Sequence, residues 1–88
     1  MKTNSGSKII FYGAPWCGDC VRAKAFLDSK NVKHEYIDIE QDEAAVEKVI
    51  ELNNGNRSIP TILFPDGTVL VEPSNDELWK KTSGYSQN

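Results

Sequence analysis

Two cysteines stand three residues apart in Cys17-Gly18-Asp19-Cys20, and they are the only cysteines in the chain. They follow a short apolar, β-prone run, Ser7-Lys8-Ile9-Ile10-Phe11-Tyr12, closed by Gly13-Ala14-Pro15. They open a stretch with helical spacing that runs from Gly18 to about Lys30, in which Val21, Ala23, Ala25, Phe26 and Leu27 recur among Arg22, Lys24 and Asp28. A structural disulfide gains stability by closing a long loop, and this pair closes a very short one. A Cys-x-x-Cys at a strand-to-helix junction therefore requires a chemical explanation, and it asks for a fold that presents such a junction at its surface.

The rest of the chain supplies such a fold. Asn31 tolerates left-handed geometry and ends the first helix. Val32 to Ile39 alternates in part and reads as a second strand. Asp42 is a candidate cap for a helix running to Asn53, with Val46, Val49, Ile50 and Leu52 as its apolar stripe and Asn54-Gly55 as its stop. Thr61 to Phe64 and Thr68 to Val71 form two strands around Pro65-Asp66-Gly67, whose residue types favour a tight turn. Ser74-Asn75-Asp76-Glu77 has the capping-box pattern and opens a last helix through Leu78 and Trp79 that ends near Lys81. The order β-α-β-α-β-β-α is an α/β arrangement, with a four-stranded mixed sheet and three helices, that matches the thioredoxin fold in its smallest form. At 88 residues the chain is expected to make one domain, 1–88, with 1–7 and 82–88 as flexible tails.

Charge and hydropathy exclude several functions. The net charge is −3 with scattered Lys and Arg, which argues against a nucleic-acid partner. No apolar run approaches the ~18 residues of a membrane helix, and the polar start lacks a secretory h-region. The expected location is the cytoplasm, where a structural disulfide does not persist.

The placement of the cysteines explains their chemistry. Unpartnered backbone N–H groups and the positive end of a helix dipole both favour a thiolate at Cys17, and thiolate is the species that attacks disulfides. Cys20 lies a turn deeper and more covered, suiting it to resolve what Cys17 forms. Half of a zinc site is a competing reading, but the chain has no second cysteine pair, and its single His34 lies on another element. Inert buried thiols are the other alternative. Redox exchange fits the junction best, and no metal is expected. Asp19 is either a solvated acid in a first helical turn or a group that disfavours the Cys17 thiolate and tunes it. Trp16 either covers the sulfur or packs half-buried. Arg57 either meets a substrate carboxylate or is a surface cation.

Phe11-Tyr12-x-x-Pro15-Trp16-Cys17-Gly18-Asp19-Cys20 with Ser58-Ile59-Pro60-Thr61 resembles the glutaredoxins. The block Asn53-Asn54-Gly55-Asn56-Arg57-Ser58, Asp66-Gly67-Thr68-x-Leu70 and Pro73-Ser74 narrow the resemblance to the mycoredoxin branch, over about Ile9 to Lys81. The resemblance implies a cis bond before Pro60, with the Ile59 backbone beside Cys17 pairing with a bound thiol peptide; a plain trans proline opening an edge strand is the alternative. Glutaredoxins hold the glutathione γ-glutamyl end with Gly-Gly-x-Asp, where this chain has Pro73-Ser74-Asn75-Asp76. That form is closer to mycoredoxins, whose small thiol is mycothiol. A helix N-terminus capped by Ser74 still suits a polar or anionic group.

The sequence therefore predicts a monomeric thiol–disulfide oxidoreductase. Its substrates are oxidised proteins, its co-substrate is mycothiol or glutathione, and it binds no resident cofactor. Cys17 and Cys20 are the catalytic candidates. Trp16, Asp19, Arg57, Ser58, Ile59, Pro60, Ser74, Asn75 and Asp76 are the substrate-binding candidates. Two alternatives remain open: a dithiol electron carrier fed by a flavoprotein disulfide reductase, and a non-enzymatic thiol-binding or iron–sulfur carrier module.

Overall fold

A computed structural model describes residues 8–83. The chain runs β1 (Ile10–Gly13), α1 (Gly18–Ser29), β2 (Glu35–Asp38), a single 3₁₀ turn (Ile39–Gln41), α2 (Glu43–Leu52), β3 (Thr61–Leu63), β4 (Val69–Val71) and α3 (Asn75–Thr82). The four strands form one sheet in the order β2-β1-β3-β4. β1 pairs in parallel with β2 and antiparallel with β3, and β3 pairs antiparallel with β4. This is the mixed α/β sheet of the thioredoxin fold.

Alternate residues of the central strand β1 feed two apolar layers. Phe11 joins Ile62, Phe64, Leu27 and Leu78 on the face covered by α1 and α3, and Cys20 is part of that cluster. Tyr12 joins Ile39, Ala45 and Val49 on the face covered by α2. Phe11, Leu27, Ile62 and Leu78 are fully buried, and each such side chain stabilises the fold by about 1.5–3 kcal/mol.

Local chemistry sets the helix ends. Asn31 adopts a φ of 59° after α1, and the Val32 N–H then donates to the Leu27 carbonyl at 3.0 Å. The Asp42 carboxylate caps α2 through the Ala45 N–H at 3.2 Å. Ser74 and Glu77 complete the capping box of α3, at 3.1 Å for Glu77 N–H to Ser74 Oγ and 2.8 Å for Ser74 N–H to Glu77 Oε1. The β3–β4 turn uses Gly67 at a φ of 89°, a conformation that glycine reaches without a Cβ clash.

Three expectations need correction. Val21 and Ala25 are exposed, because the inward face of α1 is Cys20, Ala23 and Leu27, at i, i+3 and i+7. The second strand is shorter than Val32 to Ile39: Asp38 turns its carboxylate onto the Glu40 N–H at 2.9 Å, and Ile39 leaves the sheet to pack beneath α2. Thr82, expected in a flexible tail, ends α3 and is buried, its hydroxyl donating to the Leu78 carbonyl at 2.6 Å. The remainder of the expected tails, 1–7 and 84–88, lies outside the described residues. No helix among those described is long and apolar enough to cross a membrane.

Candidate functional site

β1 leaves the sheet at Gly13, and four residues later Cys17 is the N-cap of α1. The Cys17 backbone is extended, at φ −87° and ψ 111°, and its sulfur accepts the Cys20 N–H at 3.2 Å. Its own N–H donates to the Ala14 carbonyl at 3.2 Å, so the turn before the helix is closed. A sulfur is thus set against an orphan donor at the positive end of a helix, where negative charge is stabilised.

The two thiols are unequal. Both are free, Cys17 being half-buried and Cys20 only 1% exposed. Burial pushes the Cys20 thiol up to about 12, reinforced by its hydrogen bond with Cys17 and by the charge of Asp19, while a backbone hydrogen bond at Ala14 acts the other way. Gly13, which the sequence reading treated only as a strand end, fixes that burial. A Cβ there would lie 2.9 Å from Phe11 Cε1 and 3.0 Å from Cys20 Sγ, so glycine lets the strand pass directly against the buried sulfur.

The second wall of the site starts β3. The Ile59–Pro60 bond is cis. In the β1–β3 register Tyr12 faces Thr61, so Pro60 and Ile59 come next along the strand beside the end of β1. The segment is held from below: Thr61 Oγ1 donates to the Ser58 carbonyl at 2.6 Å and accepts from Asn53 Nδ2 at 2.9 Å. Glu72 N–H takes the Pro60 carbonyl at 2.8 Å.

The third wall is the start of α3. Asp19 and Arg22 from α1 line a shallow groove with Ser74, Asn75 and Asp76. Arg22 donates from Nη2 to Asp19 and from Nη1 to Asn75 Oδ1 at 2.8 Å. This bridge spans 53 positions in sequence, and nothing local in the chain announced it. Trp16 is 67% exposed at the rim, so it is not half-buried packing. The structure therefore brings together Trp16, Cys17, Asp19 and Cys20 on one junction, Ser58 to Pro60 on a second, and Ser74 to Asp76 on a third. Arg57 is turned to Glu40, 3.6 Å away beside α2. Among the described residues, no group of three or more His, Cys, Asp or Glu is arranged to hold a metal.

Known proteins share this arrangement. The glutaredoxin family model matches residues 9–70. Mycoredoxin 1 of Corynebacterium glutamicum is 36% identical over 75 residues, 85% of this chain and 92% of that protein. A Mycobacterium tuberculosis protein with a provisional glutaredoxin name is 41% identical over 73 residues, 83% of this chain and 87% of its own length. The crystal structure of the thioredoxin-like protein BC3987 superposes with a TM-score of 0.73 at 33% identity, covering 83% of this chain and 97% of that one. Family model, relatives and fold agree, and the chain belongs to the glutaredoxin family of enzymes, thiol–disulfide oxidoreductases that work with a low-molecular-weight thiol.

Proposed function

We propose that this protein reduces mixed disulfides between proteins and a small thiol, and protein disulfides, with Cys17 as the attacking and Cys20 as the resolving thiol. The observation that carries this reading is the inequality of the two sulfurs. One is half-buried at a helix N-terminus, while the other is sealed beneath it and held neutral.

The Cys17 thiolate attacks the small-thiol sulfur of a protein–S–S–R disulfide. A Cys17–S–S–R bond forms, and the protein leaves as a thiolate that takes a proton from water. A second small thiolate then attacks Cys17–S–S–R, giving R–S–S–R and regenerating the Cys17 thiolate. For a protein disulfide, the Cys17 thiolate attacks one sulfur, forming a Cys17–S–S–protein bond and releasing the other sulfur as a thiolate. Cys20 gives its proton to that thiolate and attacks Cys17, and the second substrate sulfur leaves as a thiolate that takes a proton from water. Two small thiols then reduce the resulting Cys17–Cys20 disulfide while becoming R–S–S–R. Ile59 supports strand-like docking of the substrate, because its backbone makes no hydrogen bond among the described residues. Trp16, Asp19 and Ser74 to Asp76 are assigned to the small thiol, and Ser58 to Pro60 to the peptide. Arg57 is assigned to a substrate carboxylate, for which it would exchange its exposed 3.6 Å pairing with Glu40.

The similarity to Mycoredoxin 1 and the Pro73-Ser74 cap favour mycothiol as the small thiol, with glutathione the alternative. The same proposal has the protein act as a single-domain monomer in the cytoplasm. The test offers glutathione- and mycothiol-capped peptides in parallel to a Cys20→Ser protein. A Cys17 adduct with the mycothiol cap is expected, and adduct formation with neither removes the small-thiol reading. Turnover of mixed disulfides lost entirely in Cys20→Ser would instead favour a dithiol carrier served by a flavoprotein reductase.

A further inference from the structure

We propose that Arg22 is a positioning residue of this site: anchored by Asn75 at the start of α3, it draws the Asp19 carboxylate away from the Cys17 sulfur and compensates its charge. The proposal rests on the reading of Cys17 as the attacking thiolate.

Asp19 creates a conflict within the motif. A carboxylate in the first turn favours the helix, but a negative charge this close opposes a second negative charge on Cys17. The Asp19 charge is felt inside the motif, where it contributes to raising Cys20. Arg22 lies one turn further along α1 on the same face, and its Nη2 meets Asp19 Oδ1 at 2.5 Å. Arg22 stands on the C-terminal side of Asp19, the N-cap that carries the sulfur on the other side, so this pairing favours carboxylate positions that lean away from Cys17.

An exposed i,i+3 ion pair on its own fixes little, since both side chains remain free to leave it. The second arm of Arg22 changes this. Nη1 donates to Asn75 Oδ1 at 2.8 Å, so the planar fork is held at two points on two different helices. A lysine ammonium in that place has no rigid fork with which to hold both partners. Arg22 is also the one cation among the described residues lining this groove, whose other charged members, Asp19, Glu72, Asp76 and Glu77, are all acids. Without it, the charged lining of the groove is entirely acidic.

The test uses the full chain with Cys20→Ser, so that Cys17 is the only thiol, and follows its alkylation by uncharged iodoacetamide near neutral pH. Circular dichroism and thermal melting check each variant's fold. Adding Arg22→Met is expected to slow alkylation by about two- to fivefold, the range that surface charge pairs support. Asn75→Ala, which alters no charge, is expected to slow it in the same direction by less, with Arg22→Lys similar. In an Asp19→Asn background, Arg22→Met is expected to have little effect, because the charge it manages is gone. The proposal is overturned if Arg22→Met leaves the rate at the parent value, or slows it equally with and without Asp19. A Cys17 that reacts but ignores Arg22 removes this proposal alone. A Cys17 that fails to react in the parent removes the underlying reading as well.

Discussion

The starts of α1 and α3 are built on one plan and put to different uses. Each has an extended N-cap residue whose side chain accepts the N–H three positions on, Cys17 from Cys20 at 3.2 Å and Ser74 from Glu77 at 3.1 Å. At α3 the third residue returns the bond through its carboxylate, and the cap is closed. At α1 the third residue is the buried Cys20, whose side chain makes no return bond to the Cys17 N–H, and Ala14 takes that N–H instead. A hydroxyl in a reciprocal box spends the helix end on stability. On the proposed function, a thiol in an open cap leaves that end available for a charge that comes and goes during reaction. Arg22 joins the two ends.

That contrast can be broken at either cap. Cys17→Ser makes the α1 cap chemically like that of α3. It is expected to leave the fold intact and to lower disulfide reduction by more than about 1,000-fold, as loss of a covalent nucleophile does; measurable turnover at a tenth of the parent rate would refute the assignment. Gly13→Ala attacks the support beneath the α1 cap. Its Cβ must displace Phe11 or the Cys20 sulfur, and the expected cost is about 1–3 kcal/mol by urea unfolding. An unchanged midpoint would mean that the strand can shift to make room. Ser74→Ala opens the α3 cap, with an expected loss of about 1 kcal/mol in stability and no direct effect on Cys17 alkylation.

The smallest expected effect concerns pH. The folded-state value for Cys20 is raised from the ordinary thiol value near 9, so its contribution to stability is fully present below pH 9. As pH rises from 9 toward 12 the unfolded chain loses this proton more readily than the folded one, and the contribution fades. The urea midpoint of the reduced protein should therefore fall over that range more steeply than that of Cys20→Ser. The variant is the necessary reference, because burial also raises Tyr12 and Tyr36. Parallel curves would show that the sealed thiol contributes nothing.

What the sequence disclosed is what neighbouring residues decide among themselves. The Asp42 cap, the Ser74 box, the Asn31 exit and the Gly67 turn each depend on a few adjacent positions, and each stands where it was expected. The junction holding Cys17 was legible for the same reason. Residues whose importance comes from distant partners were not. Gly13 looked like any strand end, and only the Phe11 ring and the Cys20 sulfur packed against it show why no side chain fits. Arg22 looked like one of several helix cations until α3 folded beside it. Val21 and Ala25 were misread because apolar spacing alone does not say which of two adjacent faces of α1 meets the sheet.

The rim position of Trp16 has an optical consequence. Of the two indoles in the chain, Trp16 precedes Cys17 and stands open to solvent, while Trp79 lies under the Lys30 ammonium 5.1 Å from its ring. A disulfide at Cys17 places a quencher next to the first fluorophore and leaves the second in its own surroundings. On the proposed function, Trp16 emission should fall when Cys17 is oxidised while that of Trp79 serves as the reference, so turnover would be followed without a label.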